Sequence, residues 1–240
     1  MHIICSFATD MQHILNNPIY NGLLTGNSHL AQGSGVVKYF PKEISPFAGL
    51  EKLDEPSFSQ LAAMLPYERV VACITAAVPA ISPEWKILKQ EVILQMTGEH
   101  VLQPNAHTSG IMPLNNTHVP QMLALTKLTN PGPFLERTIE FGHYQGLFDG
   151  PQLVAMAGYR LHAGHFVEIS AVCTHPHYLG KGYAAGLMLY LAQTIMAKGN
   201  TPFLHVRADN ERAIGLYKNI GFAIRSEMNL NIIENGRNTL

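Results

Sequence analysis

The sequence predicts an α/β chain in which a mixed central β-sheet is flanked by helices. Three observations predict it. Short runs rich in β-branched and apolar residues, bounded by turn residues, recur along the chain and alternate with segments of helical period. Asp149-Gly150-Pro151 separates two such runs in the manner of a hairpin turn. In "CTHPHYLGKGYAAG", residues 173–186, a strand-like run passes through a proline and two glycines into an apolar helix, a junction suited to holding a phosphate.

The elements follow in order. "GVVKYF" and "RVVACITA" read as strands and "SFSQLAAML" as a short helix, while Ser82-Pro83-Glu84 reads as a helix start with "EVILQMT" as a strand after it. Residues 98–120 are polar and broken by Gly and Pro. They predict a domain boundary, with an N-terminal domain over 1–109 and a second over 110–240. "NNTHVPQMLALTKLT" is then a helix, "YQGLFD", "QLVAMAGYRLH" and "FVEISAVCT" are strands, and a helix runs from about Gly182 to Lys198 before Gly199. "PFLHVR", the helix "NERAIGLYKNI" stopped by Gly221, and a last strand "FAIRSEMNLNII" close the chain.

Composition narrows the function. Of the 240 residues 14% are charged, against roughly 25% in ordinary soluble domains, and 47% are apolar with a net charge of -1. Lys and Arg form no run, which argues against a nucleic-acid partner. Cys5, Cys73 and Cys173 are too few and scattered for a disulfide framework, so the expected compartment is the cytoplasm. The N-terminus lacks a basic region and carries Asp10, and the apolar stretches near Val70–Ile81 and Tyr183–Ala197 are shorter than a membrane span; no membrane anchor is expected. The sequence leaves the oligomeric state open.

Gly180-Lys181-Gly182-Tyr183-Ala184-Ala185 satisfies the dinucleotide fingerprint, yet the context does not. His175-Pro176-His177-Tyr178 intervenes after the strand, and the next strand ends in Arg207 instead of an acid. A triphosphate loop would need Ser or Thr where Gly182 stands. What remains is a backbone able to approach an anion closely at the positive end of a helix, and a pyrophosphate fits such a pocket. Cys173, His175 and His177 alternate along an extended segment, but no fourth ligand is evident and no metal is expected.

Taken with "NERAIGLYKNIGF", the glycine turn resembles the core of the GNAT superfamily of acyl-CoA-dependent N-acyltransferases. That family's pyrophosphate loop, Q/R-x-x-G-x-G/A, is matched from Leu179 to Ala184, and its closing element N-x-x-A-x-x-L-Y-x-x-x-G-F from Asn210 to Phe222. The resemblance covers about residues 110–234 and departs at Leu179, where Gln or Arg is usual. The first half carries neither motif and is expected to be scaffold, a degenerate copy of the fold as in glycine N-acyltransferase-like proteins. The resemblance implies acetyl-CoA bound along Ala171, Val172, Cys173 and Thr174, whose backbone N–H groups polarise the thioester carbonyl, with its pyrophosphate on Leu179, Gly180, Lys181, Gly182, Tyr183 and Ala184. Asn210, Ala213 and Tyr217 complete the cofactor site. Tyr217 is the expected proton donor to the leaving thiolate and Glu168 the expected base, with His143, His162 and His165 as rivals.

"TNPGPFLERTIEFGHYQG" matches the region that walls the family's acceptor pocket, so its Phe134 and His143, with Tyr159 of the following strand, are expected at an acceptor site for a small amine or amino acid. The alternative function is a CoA-binding module without turnover. One further expectation concerns the sheet. Too little chain follows Ala223–Ile233 for the strand that the family inserts beside "PFLHVR", so a segment of the first half, "VILQMT" at Val92–Thr97, should fill that slot.

Overall fold

The structure is a computed structural model that describes residues 13–103 and 110–236. Cys5, Asp10, residues 104–109 of the expected boundary and residues 237–240 lie outside the described residues. The elements are α1 (Pro18–Leu24), β1 (Val37–Tyr39), β2 (Ala48–Leu50), α2 (Glu55–Met64), β3 (Val70–Thr75), β4 (Trp85–Thr97), β5 (Met112–Pro113) and α3 (Val119–Thr129). There follow β6 (Gln145–Asp149), β7 (Gln152–Ala163), β8 (Phe166–Thr174), α4 (Tyr183–Met196), β9 (Thr201–Arg207), α5 (Glu211–Asn219) and β10 (Ala223–Asn235).

Local chemistry explains most of these boundaries. Asp54 Oδ1 accepts from the Ser57 amide at 3.0 Å and Pro56 stands in the first turn, which together start α2. Asn210 Oδ1 caps α5 through the Ala213 amide at 3.2 Å. Asp149 pairs with Gln152 across Gly150-Pro151, with Gly150 at φ +53, as a hairpin turn requires.

The expected helix after Ser82 does not form. A turn at Pro83-Glu84 leads directly into the thirteen-residue β4. A local cap signal is worth about 1 kcal/mol, whereas this segment gains a ladder with β10 from Trp85↔Asn235 to Thr97↔Ala223. Trp85 anchors its start, buried and donating from Nε1 to the Phe58 carbonyl at 3.0 Å.

Eight strands form one sheet in the order β3-β10-β4-β9-β8-β7-β6-β5. β8 and β9 run parallel, joined through α4, and the other neighbours are antiparallel. The slot beside β9 is filled from the first half as expected, by β4, with Ile93↔Arg207 through Thr97↔Phe203 in register. The physical reason is that β9 would otherwise present unpaired backbone groups in a buried place. The halves therefore meet in one sheet, and the 109/110 division falls between strands of that sheet; β1 and β2 make a small pair of their own.

α4 lays Leu187, Leu191 and Ile195 against Val167, Ile169, Leu204 and Val206, forming the largest core cluster. α3 contributes Met122 and Leu125 to a second cluster with Met156, Ala171 and Cys173. Each fully buried side chain of this size stabilises by roughly 1.5–3 kcal/mol. Among the described residues, no helix is long and apolar enough to cross a membrane.

Candidate active site

β8 and β9 pair only from Phe166↔Thr201 to Glu168↔Phe203, and beyond that register the two parallel strands share no ladder. A bulge in β8 accompanies the split. Between Gly158↔Ser170 and Met156↔Cys173, β8 uses one residue more than β7, and Ala171 takes φ +52. In consequence Ile169 packs in the α4 cluster while Ala171 and Cys173 join the α3 cluster, a change of face that a regular strand cannot make across two residues. The split opens a cleft of about 540 Å³ bordered by Ile169–Val172 and Leu204–Arg207.

A second cavity, about 490 Å³, lies where β8 leads to α4. Gly180 at φ +81 and Gly182 at φ +77 shape its turn, and Gly182 is the residue from which α4 starts. A backbone in that left-handed region suits glycine and exposes N–H groups at the positive end of the helix. Leu179, Gly180, Gly182, Tyr183 and Ala184 line this cavity, as do Val172, Cys173 and Thr174. Thr174 Oγ1 is buried there without a hydrogen-bond partner, so the wall holds a polar atom for a ligand to satisfy. These residues fit the pyrophosphate and pantetheine arm of coenzyme A.

One detail departs from expectation. Lys181 does not line the cavity; its ammonium sits over the Tyr178 ring, 4.6 Å from the centroid, and the Tyr178 hydroxyl donates to Asp149 Oδ2 at 2.6 Å. The lining cation is Arg212 in the first turn of α5, which sequence reasoning missed. Its signal was legible, because a cation beside the positive end of a helix is disfavoured unless an anion faces it. Ala171 borders the cleft together with Val172.

The cavity and the cleft share Val172, Asn210, Ala213 and Tyr217. Burial pushes the Tyr217 phenol up to about 12, so it keeps its proton throughout the neutral range. Tyr217 thus stands as a protonated phenol among the residues that line both spaces.

Glu168 requires a correction. It is fully buried, and both carboxylate oxygens are engaged: Arg160 Nε donates to Oε2 at 2.8 Å, Arg160 Nη2 donates to Oε1 at 2.5 Å, and His205 Nδ1 lies 2.7 Å from Oε1. Burial alone would raise this carboxyl, but the Arg160 guanidinium and the His205 ring outweigh it and hold it near 2. A carboxylate so stabilised is a poor proton acceptor. It is a structural anchor that holds Arg160 and His205 at the cleft, where both are lining residues.

The acceptor residues are also redistributed. Phe134 is a core ring, edge-on to Tyr144 at 5.6 Å, because the preceding turn Asn130–Pro133 is what reaches the cleft. His143 and Tyr159 meet as tilted rings, 4.6 Å between centroids, in a separate depression of about 220 Å³ that also includes His162 and Lys198. Burial, then Lys198, lowers the pKa of His143, and burial likewise lowers His162. His165 packs as a tilted ring against Phe166, 4.1 Å between centroids, and borders neither space. Burial raises the Cys173 thiol to about 12, which leaves it inert as a nucleophile. Among the described residues, no group of three His, Cys, Asp or Glu could hold a metal.

A family profile described as FR47-like protein matches residues 144–230, the stretch holding β8, the glycine turn and α5. Over 84 residues the chain is 33% identical to the N-alpha-acetyltransferase RimI of Mycobacterium tuberculosis, a match covering 33% of this chain and 51% of that protein. The chain thus spans about half the length of that curated relative. A GCN5-related N-acetyltransferase from Kribbella flavida shares the fold at TM-score 0.58 and 13% identity, over 92% of this chain and 96% of that one. A solved chain from Novosphingobium aromaticivorans, assigned to the GNAT family of acetyltransferases, is 31% identical at TM-score 0.86 and covers 94% of this chain and 100% of its own length. The split β8–β9 pair, the glycine turn and the Asn210-to-Tyr217 helix accompany a likeness that covers 94% of the chain, which belongs to the GNAT family of N-acetyltransferases.

Proposed function

We propose that this acetyltransferase moves an acetyl group from acetyl-CoA to a primary amine of a small molecule or amino acid, by direct transfer with both reactants bound. The observation that carries the reading is Tyr217, which borders both the cavity at the glycine turn and the cleft between β8 and β9. In this reading backbone N–H groups of Gly180–Ala184, with Arg212, hold the pyrophosphate, and the unpaired edge of β8 at Ile169–Val172 receives the pantetheine arm. Acetyl-CoA supplies an activated acyl carbon and a thiolate leaving group. Tyr217 Oη holds the proton given to that thiolate. The acceptor enters through the cleft and releases its proton to solvent, while Glu168 keeps Arg160 and His205 in position.

The motif-bearing second half and motif-free first half make a place in the glycine N-acyltransferase-like branch part of this proposal. A second reading of the acceptor, a peptide α-amine, is favoured by the match to an N-alpha-acetyltransferase. Its chemistry agrees: an α-amine, with pKa near 8, is far more often unprotonated at neutral pH than an aliphatic amine near 10. CoA release measured over small amines, amino acids and short peptides tests both readings. Tight CoA binding with no release from any acceptor would leave a CoA-binding module instead.

A further inference from the structure

We infer that the acceptor's body is apolar and uncharged, an aliphatic or aromatic group attached to the reacting amine, and that it lies on a wall built by strands outside the motif-bearing core. The inference rests on the acetyl-transfer reading above and specifies its acceptor. β3, β10 and β4 are hydrogen-bonded neighbours whose registered residues present one face to the cleft. Leu230 stands opposite Ile74, and Ile232 opposite Ala72. On its other side β10 sets Leu230 against Glu91 and Ile232 against Lys89. Directly opposed residues share a face, and all of these line the same cleft as Tyr217. Ile93, opposite Arg207, extends the apolar surface towards β9, and Phe47, bridged to Ala72, adds to it beside β3. Leu230 and Ile232 are half-buried, so they retain surface for a ligand to cover.

Charge points the same way. Among the described residues, each Lys, Arg, Asp or Glu lining the cleft already has an ionic partner. Lys89 Nζ lies 2.7 Å from Glu91 Oε2, Arg207 Nη2 lies 2.6 Å from Asp209 Oδ2, and Arg160 holds Glu168. A polyamine or aminoglycoside body, bearing several cations, would find neutralised pairs instead of free carboxylates. A body with aliphatic or aromatic surface gains by leaving water against Leu230 and Ile232.

The test is CoA release from acetyl-CoA by the full chain with phenethylamine, isoamylamine, ethanolamine and spermidine. We expect kcat/KM for the first two to exceed that for the last two by about tenfold or more, the scale on which apolar pockets discriminate. Leu230→Ser should pull this ratio towards one, chiefly by raising KM for phenethylamine, with KM for acetyl-CoA held. Ile232→Val removes one methylene and spares the sheet, and should raise KM for isoamylamine a few-fold. Equal or better turnover of ethanolamine or spermidine would overturn the inference while leaving acetyl transfer standing. Absence of release with every amine and peptide, despite acetyl-CoA binding, would overturn acetyl transfer itself and this inference with it.

Discussion

The side-chain nitrogen of Gln95, on β4 from the first half, lies 3.0 Å from His205 Nε2 on β9 of the second. Two other partners orient that amide. Its nitrogen donates to the Leu15 carbonyl at 3.0 Å, and Arg225 Nη1 donates to its oxygen at 2.8 Å. The NH₂ group therefore faces His205, whose Nε2 accepts and whose Nδ1–H donates to Glu168. One run of polar contacts thus joins Asn16, Arg225, Gln95, His205, Glu168 and Arg160 across both halves.

Gln95→Leu removes the donor to the Leu15 carbonyl and His205 Nε2, both in buried surroundings. Leaving such groups unmatched costs about 1–3 kcal/mol each, so urea unfolding should show a loss of about 2–6 kcal/mol by the same rule. A loss below about 0.5 kcal/mol, within the range of ordinary surface substitutions, would show that this contact does not tie the halves together.

Glu168→Gln leaves Arg160 without its counter-charge in a buried place, a change that costs about 3–5 kcal/mol in comparable pairs. The folded carboxyl is held near 2, below its ordinary 4.5. Its contribution to stability is therefore full above about 4.5 and is lost as pH falls through about 2. Between those values wild type should lose stability more steeply than the variant. Near neutral pH the kcat/KM profile should keep its shape in the variant, rising with the fraction of unprotonated amine. A displaced rising limb would restore Glu168 as the base.

Tyr217→Phe removes the proton donor and leaves the ring packed. It should lower kcat by on the order of tenfold or more, with acetyl-CoA affinity nearly intact, as expected for a group acting in the chemical step. With the phenol pushed up to about 12, its contribution should not titrate between pH 6 and about 10. An unchanged kcat would remove Tyr217 from this role.

Gly180 has open space where a Cβ would stand, so Gly180→Ala meets no clash; the cost lies in its φ of +81. Strain of about 1–2 kcal/mol should turn the backbone N–H groups away from the anion and raise the Kd for CoA by about tenfold. Inhibition by pantetheine, which lacks the pyrophosphate, should change little. Equal losses for both ligands would place the pyrophosphate elsewhere.

Leu179 is exposed at the rim of the same cavity, where the family pattern has Gln or Arg. Leu179→Arg should tighten CoA binding a few-fold, and the gain should fade with added salt, as a partly solvated ion pair requires. A gain insensitive to salt, or none, would show that this side chain does not face the phosphates.

The sequence by itself determined the local grammar of the second half. Strand β8 from Phe166 to Thr174, the turn at Gly180 and Gly182, and the cap at Asn210 with Tyr217 two turns on are all written in spacing, because each depends on contacts within a few residues. With the family resemblance added, it also led to the expectation that a strand of the first half covers β9, since open backbone groups are costly wherever they fall. Only the tertiary structure decided the rest. Ser82-Pro83-Glu84 carries a helix signal, yet the residues after it extend as β4, because pairing with β10 some 140 residues away outweighs a local cap. The family resemblance makes Glu168 a base, but Arg160 across the β7–β8 pair and His205 on β9 engage both of its oxygens. The wall of Ile74, Leu230 and Ile232 follows from the register of strands from opposite ends of the chain, and pairing between remote strands is set by the packing of the whole, which no local stretch encodes.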